Sequence, residues 1–263
     1  MESIARQALA RTYPDHRWRN IAHGHTEVWA LEGSPDLYVK IAPIGDSLEP
    51  GLSPMAEADR NRWLSDQGIA CPTVIDAGLL DEEEYLVMKA VPGVPLAACP
   101  EPGRADAVDA AARFLKHLHA IPTDACPYDR RLRVTVPMAQ EAAGLGEVDP
   151  SRLDTGRRRH TTTMMVTELL ATARQVGREE PVVCHGNLSA GNILVDPQTS
   201  EVTATLSNAR CGIADRYTDL AKITRELAES CGPPTAQRFI YRYGETPLDP
   251  DRLRFYRLLD CFW

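Results

Sequence analysis

The chain changes character at a stretch dense in proline and glycine, residues 92–103 (PGVPLAACPEPG). Before it, short segments such as 36–42 (DLYVKIA) alternate apolar and polar residues, a pattern that predicts half-buried strands. After it, residues 104–120 (RADAVDAAARFLKHLHA) carry apolar side chains at helical spacing, which predicts an amphipathic helix. Strands first and helices afterwards predict an α+β protein of two lobes with a cleft between them.

The remaining segments follow the same division, in a chain whose 263 residues allow one large domain or two small ones. Residues 92–103 are predicted to be a linker or a domain boundary. Further strands are predicted at 27–31, 72–79, 84–90, 181–184, 193–195 and 202–206. Further helices are predicted at 54–66, 161–178, 215–230 and 250–262.

Composition excludes several classes of protein. The chain has 29 Lys+Arg against 37 Asp+Glu, a net charge of −8, so nucleic acid is not an expected partner. This charge suits a cationic ligand, although it is also an ordinary value for solubility. The seven cysteines form no CxxC pair, so neither a zinc ribbon nor a disulfide framework is expected. With no signal peptide and no long apolar run, we expect no membrane partner and a location in the reducing cytoplasm.

The most informative segment is 182–197 (VVCHGNLSAGNILVDP), in which a polar loop lies between two apolar strands. This is the layout of a kinase catalytic loop, where an Asp two residues after the His accepts the proton of the substrate hydroxyl. An Asn five residues further on holds a metal ion. Here His185 and Asn192 are in place, but Asn187 stands at the position of the Asp.

Segments along nearly the whole chain resemble the aminoglycoside phosphotransferases, in particular the actinobacterial 3′- and 3″-phosphotransferases. They include LYVKIAP, AEADRNRWL, YLVMKAVPGVP, VVCHGNLSAGNILVDP, CGIADRYTDLA and the terminal FYRLLDCFW. The resemblance implies a protein-kinase-like fold, with a small β-rich nucleotide-binding lobe over residues 1–90 and a larger helical lobe over 91–263. It also implies phosphoryl transfer from ATP, with Mg²⁺, to an aminoglycoside hydroxyl.

The resemblance assigns the nucleotide contacts to the first lobe. Lys40 is expected to pair with the α- and β-phosphates and Glu57 to hold that lysine, the alternative being a surface salt bridge. Residues 85–90, with Met88 and Ala90, are expected to form the hinge against the base, the alternative being a plain buried strand. Because hinge hydrogen bonds come from backbone groups, they do not favour ATP over GTP.

Both carboxylates that phosphoryl transfer relies on are replaced. Asn187 is a neutral amide where the family has its base, and Ser207 stands where the family has its metal-binding Asp. A hydroxyl is a weak, neutral ligand for Mg²⁺, which prefers carboxylates and phosphate oxygens. The resemblance leaves Asn192 as a metal ligand and His185 as the residue that orients the loop, unless this histidine is purely structural.

Neighbouring positions depart from the family as well. Ala209 replaces a glycine, and its Cβ disfavours a positive φ. Asn208 is an alternative metal ligand, but it too is uncharged. In the expected phosphate loop, residues 23–27 (HGHTE), Glu27 is expected to bring negative charge near the phosphates.

The expected aminoglycoside surface is poorer in acids than the resemblance implies. Segment 149–159 keeps two acids but ends in three arginines. Four acids remain as candidate partners for ammonium groups, and the terminal carboxylate on Trp263 is expected to contribute a further negative charge. The candidate substrate-contacting residues are Asp149, Asp154, Arg210, Glu226, Asp260 and Trp263.

Three functional hypotheses follow from this pattern. The first is an aminoglycoside phosphotransferase homologue whose activity is absent or severely impaired. The second is a non-catalytic protein, a pseudokinase that keeps a small-molecule site. The third is a working antibiotic kinase that uses an unrecognised base. The sequence favours none of the aminoglycosides as the ligand and indicates no oligomeric state.

Overall fold

The computed structural model describes residues 3–22, 24–45, 52–146, 148, 160–244 and 247–263. Two of the predicted substrate residues, Asp149 and Asp154, lie outside the described residues. The chain forms two compact units. The first unit comprises Met1–Pro92 and Thr203–Ala209, and the second comprises Gly93–Val202 and Arg210–Trp263.

The first unit is built on an antiparallel sheet of five strands in the order β1-β2-β3-β5-β4. Its elements are α1 (Ile4–Thr12), β1 (Arg17–Ala22), β2 (Glu27–Glu32), β3 (Leu37–Pro43), α2 (Pro54–Asp66), β4 (Val74–Leu80) and β5 (Glu83–Lys89). Helix α1 packs on the face that carries Val39 and Ile41, whereas α2 packs on the face that carries Leu86 and Met88. Alternation along the strands separates these two apolar sets.

The second unit is mainly helical. Its helices are α3 (Glu101–His119), α4 (Leu132–Gly144), α5 (Thr162–Ala173), α6 (Tyr217–Cys231), α7 (Pro233–Tyr243) and α8 (Pro250–Leu259). Its strands are β6 (Val94–Pro95), β7 (Pro181–Cys184), β8 (Ile193–Val195) and β10 (Gly212–Asp215), while β9 (Val202–Thr205) continues into the first unit. Strand β7 pairs with β10, and β6 pairs with β8, both antiparallel. None of the helices in the described ranges combines the length and apolar character that a membrane crossing needs.

Most predicted elements are confirmed, whereas α1, β1, β6, α4, β10 and α7 were not predicted. Helix α2 has the predicted bounds because Ser53 caps its first turn by accepting a hydrogen bond from the Ala56 amide and Pro54 occupies the first helical position. Helix α4 was not predicted, since Pro137 lies inside it and proline normally breaks a helix. The predicted linker instead contains β6, a short 3₁₀ turn and the start of α3.

Candidate functional site

In the first unit, Lys40 and Glu57 form a short ion pair, with 2.6 Å between Nζ and Oε2. Strand alternation directs Lys40 away from the core residues Val39 and Ile41, toward the face that α2 covers. The side chains of Lys40 and Glu57 are only 16% and 6% exposed. The cation is therefore fixed by a largely buried carboxylate, more firmly than in an exposed surface pair.

Two predicted hinge residues lie on or next to β5. Met88 is buried and lies opposite Tyr38 in the strand register, and its sulfur accepts a hydrogen bond from the Asn61 side chain at 3.4 Å. The amide of Ala90 donates to the Asp36 carbonyl at 2.9 Å. The N–H of Ala90 thus has a partner within the chain.

The sequence analysis missed Tyr38, which lies on the same face of β3 as Lys40. The two residues are separated by one position, so period-two alternation places both side chains on one side of the sheet. Tyr38 is 38% exposed, which is unusual for a large aromatic side chain in this unit. The alternation of apolar and polar residues in DLYVKIA is the sequence signal that could have identified Tyr38.

Glu27, expected to bring negative charge near the phosphates, lies on the other face of the sheet from Lys40. Glu27 lies opposite Ile41, whereas its neighbour Val28 lies opposite Lys40, so the Glu27 and Lys40 side chains are on opposite faces of the sheet. Its carboxylate accepts a hydrogen bond from the indole N–H of Trp29 at 3.0 Å. The negative charge therefore does not lie beside the lysine.

The segment after β9 contains the position of the missing metal-binding Asp. Ser207 is partly exposed and has a φ of 59°, in the left-handed region. Ala209 lies in a short 3₁₀ turn and is not among the residues with a positive φ, as its Cβ favours. Asn208 is completely buried and bonded to Asn61 and Thr205, so its amide is not available as a metal ligand.

In the second unit, the loop between β7 and β8 is held by the buried carboxylate of Asp219 on α6. One oxygen accepts the amide of His185 at 2.8 Å, and the other accepts the amide of Gly186 at 2.9 Å. A further hydrogen bond within the loop runs from the backbone N–H of Asn187 to His185 Nδ1, at 3.1 Å. Asn192 Nδ2 donates to the Asn187 carbonyl at 2.9 Å. His185, Asn187 and Asn192 are thus brought together.

His119 also contacts the Asp219 carboxylate, with its Nε2 at 3.1 Å from the nearer oxygen. The other ring nitrogen of His119, Nδ1, forms a hydrogen bond with the Tyr243 hydroxyl at 2.8 Å. Burial alone would raise the pKa of Asp219, but the contacts with His119 and His185 hold it below its ordinary value. Cys184 lies in the same buried cluster, and burial raises its pKa well above that of a free thiol. These atoms have partners within the chain, so the cluster acts as a support for the loop.

Glycine is required at position 186. Its φ is 79°, and a Cβ placed there would lie 2.3 Å from the Arg210 carbonyl oxygen. A side chain would therefore push the loop away from the segment that precedes β10.

The acids predicted to bind ammonium groups already have partners. Asp260 lies 3.1 Å from Lys222 Nζ and 3.3 Å from Arg225 Nη2. Glu226 accepts the Ala190 amide at 2.9 Å, and burial raises its pKa. Within the second unit, these acids contribute less free negative charge than their number implies.

Arg210, Asp260 and Trp263 line one narrow cavity of the second unit. The guanidinium carbon of Arg210 lies 5.9 Å from the Trp263 ring centroid, and that of Arg130 lies 6.0 Å from it. Such distances fall within the range of cation–π contacts. Three predicted substrate residues are therefore neighbours, whereas Glu226 does not line this cavity.

The two predicted metal positions do not fit Mg²⁺. Asn192 offers an amide oxygen and Ser207 a hydroxyl, while Mg²⁺ sites in phosphoryl-transfer enzymes use carboxylates with substrate phosphates. Asp219, the carboxylate bonded to the loop backbone, is completely buried and accepts three hydrogen bonds. The donor set is therefore neutral at both positions.

The lysine–glutamate pair within the first unit and the loop within the second unit each agree with the comparison with known families. Residues 17–256 match the sequence model of the phosphotransferase enzyme family. The chain belongs to the phosphotransferase enzyme family. An aminoglycoside 3′-phosphotransferase of Streptomyces fradiae is 39% identical over 266 residues, which cover 97% of this chain and 98% of that relative. The resemblance to aminoglycoside phosphotransferases is thus confirmed.

Solved structures of the phosphotransferase family confirm the kinase-like fold. A crystal structure of an aminoglycoside 3′-phosphotransferase of type VIII matches with a TM-score of 0.89 and 37% identity, covering 98% of each chain. An aminoglycoside phosphotransferase of Streptomyces rimosus, in complex with ADP and streptomycin, matches with a TM-score of 0.86 and 28% identity. That match covers 100% of this chain and 99% of the other.

Proposed function

We propose that this chain is an aminoglycoside phosphotransferase homologue that binds nucleotide but transfers the γ-phosphoryl group severely slowly. The observation that carries the proposal is the neutral amide of Asn187 in a loop whose backbone is otherwise held in place. The Streptomyces rimosus relative binds ADP and streptomycin, which supports a purine nucleotide and an aminoglycoside as the ligand classes.

The first unit supplies the nucleotide contacts. Lys40, held by Glu57, presents its ammonium group to the phosphates, as the family pairing implies. Tyr38 stacks on the base, because an exposed aromatic ring beside the lysine on one strand face suits a planar ring system. Met88 and Ala90 remain the proposed residues beside the base.

The second unit supplies the catalytic position without its chemistry. The Asn187 side chain can accept a hydrogen bond from a substrate hydroxyl, but an amide does not take up the proton as a carboxylate does. A positioned base contributes about 10²–10⁴-fold to rate, and the proposed loss is of that size. His185 orients the loop, because its Nδ1 accepts a hydrogen bond from the backbone N–H of Asn187.

Poor binding of the metal ion is expected to lower the rate of phosphoryl transfer further. Mg²⁺ would neutralise the charge that develops on the phosphoryl oxygens, but Asn192 and Ser207 each offer only a neutral donor, which suits this ion poorly. With two neutral donors, we propose that nucleotide binds weakly and with little dependence on Mg²⁺.

A second candidate is a pseudokinase that binds a small molecule without turnover. The retained Lys40–Glu57 ion pair favours it, because a binding protein needs the phosphate contact but neither carboxylate. Asp260, together with Arg210 and Trp263, is the proposed aminoglycoside contact in the second unit. The described cysteines are free thiols, which supports the cytoplasm as the proposed location.

One experiment separates these proposals. Nucleotide binding is measured by calorimetry with ADP and ATP, with and without Mg²⁺, and phosphate transfer is assayed on kanamycin, neomycin and streptomycin. Weak nucleotide binding with transfer at least ~10²-fold below an intact relative supports the impaired phosphotransferase. Binding with no transfer supports the pseudokinase. Turnover at the ~1–100 s⁻¹ of ordinary kinases overturns both and indicates an active kinase with an unrecognised base.

A further inference from the structure

A buried pair of amides joins α2 to the turn that holds Ser207. Asn208 Nδ2 donates to Asn61 Oδ1 at 2.8 Å and to the Thr205 carbonyl at 3.0 Å. Asn208 Oδ1 accepts the Thr205 hydroxyl at 3.1 Å. Asn208 is 0% and Asn61 1% exposed, so this network lies in the interior of the first unit.

The position of Asn61 on α2 gives the pair its significance. Asn61 lies four residues after Glu57, so the two side chains project from the same helix face. One of them holds Lys40, and the other holds the turn of residues 207–209. Asn61 Nδ2 also contacts the sulfur of Met88 on β5. A single helix face thus connects the lysine, the β5 strand and the turn.

Because the hydrogen bond between Asn208 and Asn61 is buried, it is important for the shape of the turn. A buried amide that loses its partner is destabilised by more than the bond itself contributes, because the group remains desolvated. Ser207 in this turn has a left-handed backbone conformation. An L-residue rarely adopts that conformation unless its surroundings hold it there. The bond from Thr205 N to the Ala70 carbonyl at 3.0 Å fixes the start of the segment but not its end.

We propose that Asn61 and Asn208 are positioning residues that couple the conformation of the turn at Ser207 to the Lys40–Glu57 ion pair through α2. Loosening the ion pair loosens the turn, and the amide pair transmits the effect. The consequence for phosphate or metal binding at position 207 rests on the proposed function. The coupling itself does not, because it concerns only contacts within the first unit.

The coupling is tested without nucleotide, by amide hydrogen exchange of the full chain over residues 205–210. The variants are Glu57→Gln, Asn61→Ala and their combination, with Arg62→Ala as the control on the exposed side of the same helix. Glu57→Gln alone and Asn61→Ala alone are each expected to speed exchange of the turn by about tenfold, a size typical of one buried hydrogen bond. The combination is expected to be no faster than Asn61→Ala alone. Arg62→Ala should leave the turn unchanged and leave the effect of Glu57→Gln intact.

Two results would overturn the proposal: no response of the turn to Glu57→Gln, or a full response that persists when Asn61 is alanine. If Asn61→Ala fails to fold, the pair Asn61→Leu with Asn208→Leu replaces it, since removing both amides leaves neither unpaired. Calorimetry with ADP alone is run on the natural chain in parallel. Absent binding contradicts the proposed nucleotide site, while the exchange data still decide the coupling.

Discussion

The ion pair in the first unit and the loop of residues 185–192 in the second unit are both fixed by buried carboxylates, but only the first still presents a charge. Glu57 holds Lys40, whose ammonium group can meet a phosphate. Asp219 holds the backbone of His185 and Gly186, but the side chain that the loop presents, Asn187, is neutral. The proposed function therefore separates binding from catalysis in this molecule.

The shape of this loop does not depend on the side chain at position 187. The loop backbone is determined by bonds to Asp219 and by the absence of a Cβ at Gly186. Neither contact involves the side chain of Asn187. Exchange of Asp for Asn at this position is nearly isosteric, so the fold is insensitive to a change that removes the base.

The largest expected effect comes from restoring both carboxylates. Asn187→Asp with Ser207→Asp should raise phosphate transfer to an aminoglycoside by about 10²–10⁴-fold, because a base returns and the metal gains a charged ligand. Each single change should do little, since base and metal act in the same transition state. Aspartate also tolerates the left-handed φ found at residue 207.

Transfer is assayed on kanamycin, neomycin and streptomycin, and thermal unfolding confirms that each variant is folded. Partial rescue below the rate of an intact relative is expected. A folded double variant that binds Mg·ATP tightly and still transfers nothing would move the defect to substrate binding, with segment 149–159 as the leading suspect.

The next effect tests the support of the loop. Asp219→Asn should lower the free energy of unfolding by about 3–5 kcal/mol, because one of the two buried oxygens that serve His119 and two backbone amides becomes an NH₂ donor. The carboxylate has a depressed pKa, so its contribution is present above the ordinary value of about 3.9 and is lost only as the pH falls below it.

Urea denaturation at pH 7 measures the loss. Asp196→Asn is the matched control in the same unit, since that carboxylate also accepts two backbone amides but lies at the surface. Equal losses in the two variants would show that Asp219 is an ordinary turn-capping residue and not the support of the loop.

A smaller effect is expected from the charge in the first unit. Lys40→Met should weaken ADP binding by about 10- to 100-fold, the range for loss of one charged hydrogen-bond partner. It also leaves the buried Glu57 without its cation. Calorimetry measures the dissociation constant, with Arg62→Met, at an exposed position of α2, as the control. Unchanged affinity in Lys40→Met would place the phosphates elsewhere.

The smallest expected effect concerns the metal. Chelation of Mg²⁺ should change the affinity for ATP by less than about threefold, because Asn192 and Ser207 offer no carboxylate. Titrations in EDTA and in excess Mg²⁺ give the ratio directly. A strongly Mg²⁺-dependent affinity would reveal a metal carboxylate that is neither of these two positions.

Local sequence signals predicted much of this molecule. Ser53 and Pro54 define the start of α2, and the alternation of β3 places Lys40 on the face that meets Glu57. The loop around Asn187 was predicted because its residues are consecutive. These features depend on spacing within one element or between neighbours.

Contacts over long sequence separation were not predictable in the same way. Asp219 supports a loop 34 residues earlier, and Asn208 bonds a residue 147 positions away. The face on which Glu27 lies depends on the register of β2 against β3, which the sequence of one strand does not determine. The partners of Asp260 likewise come from a different helix, α6.

The most direct test of the separation between binding and catalysis is the single-turnover rate of transfer from radiolabelled ATP to kanamycin, neomycin and streptomycin. The natural chain is assayed in excess over ATP, beside Asn187→Asp with Ser207→Asp, and Lys40→Met excludes contaminating kinases. We predict that the natural chain transfers phosphate at least ~10²-fold more slowly than the double variant. A natural chain that transfers at the ~1–100 s⁻¹ typical of kinases would contradict the account.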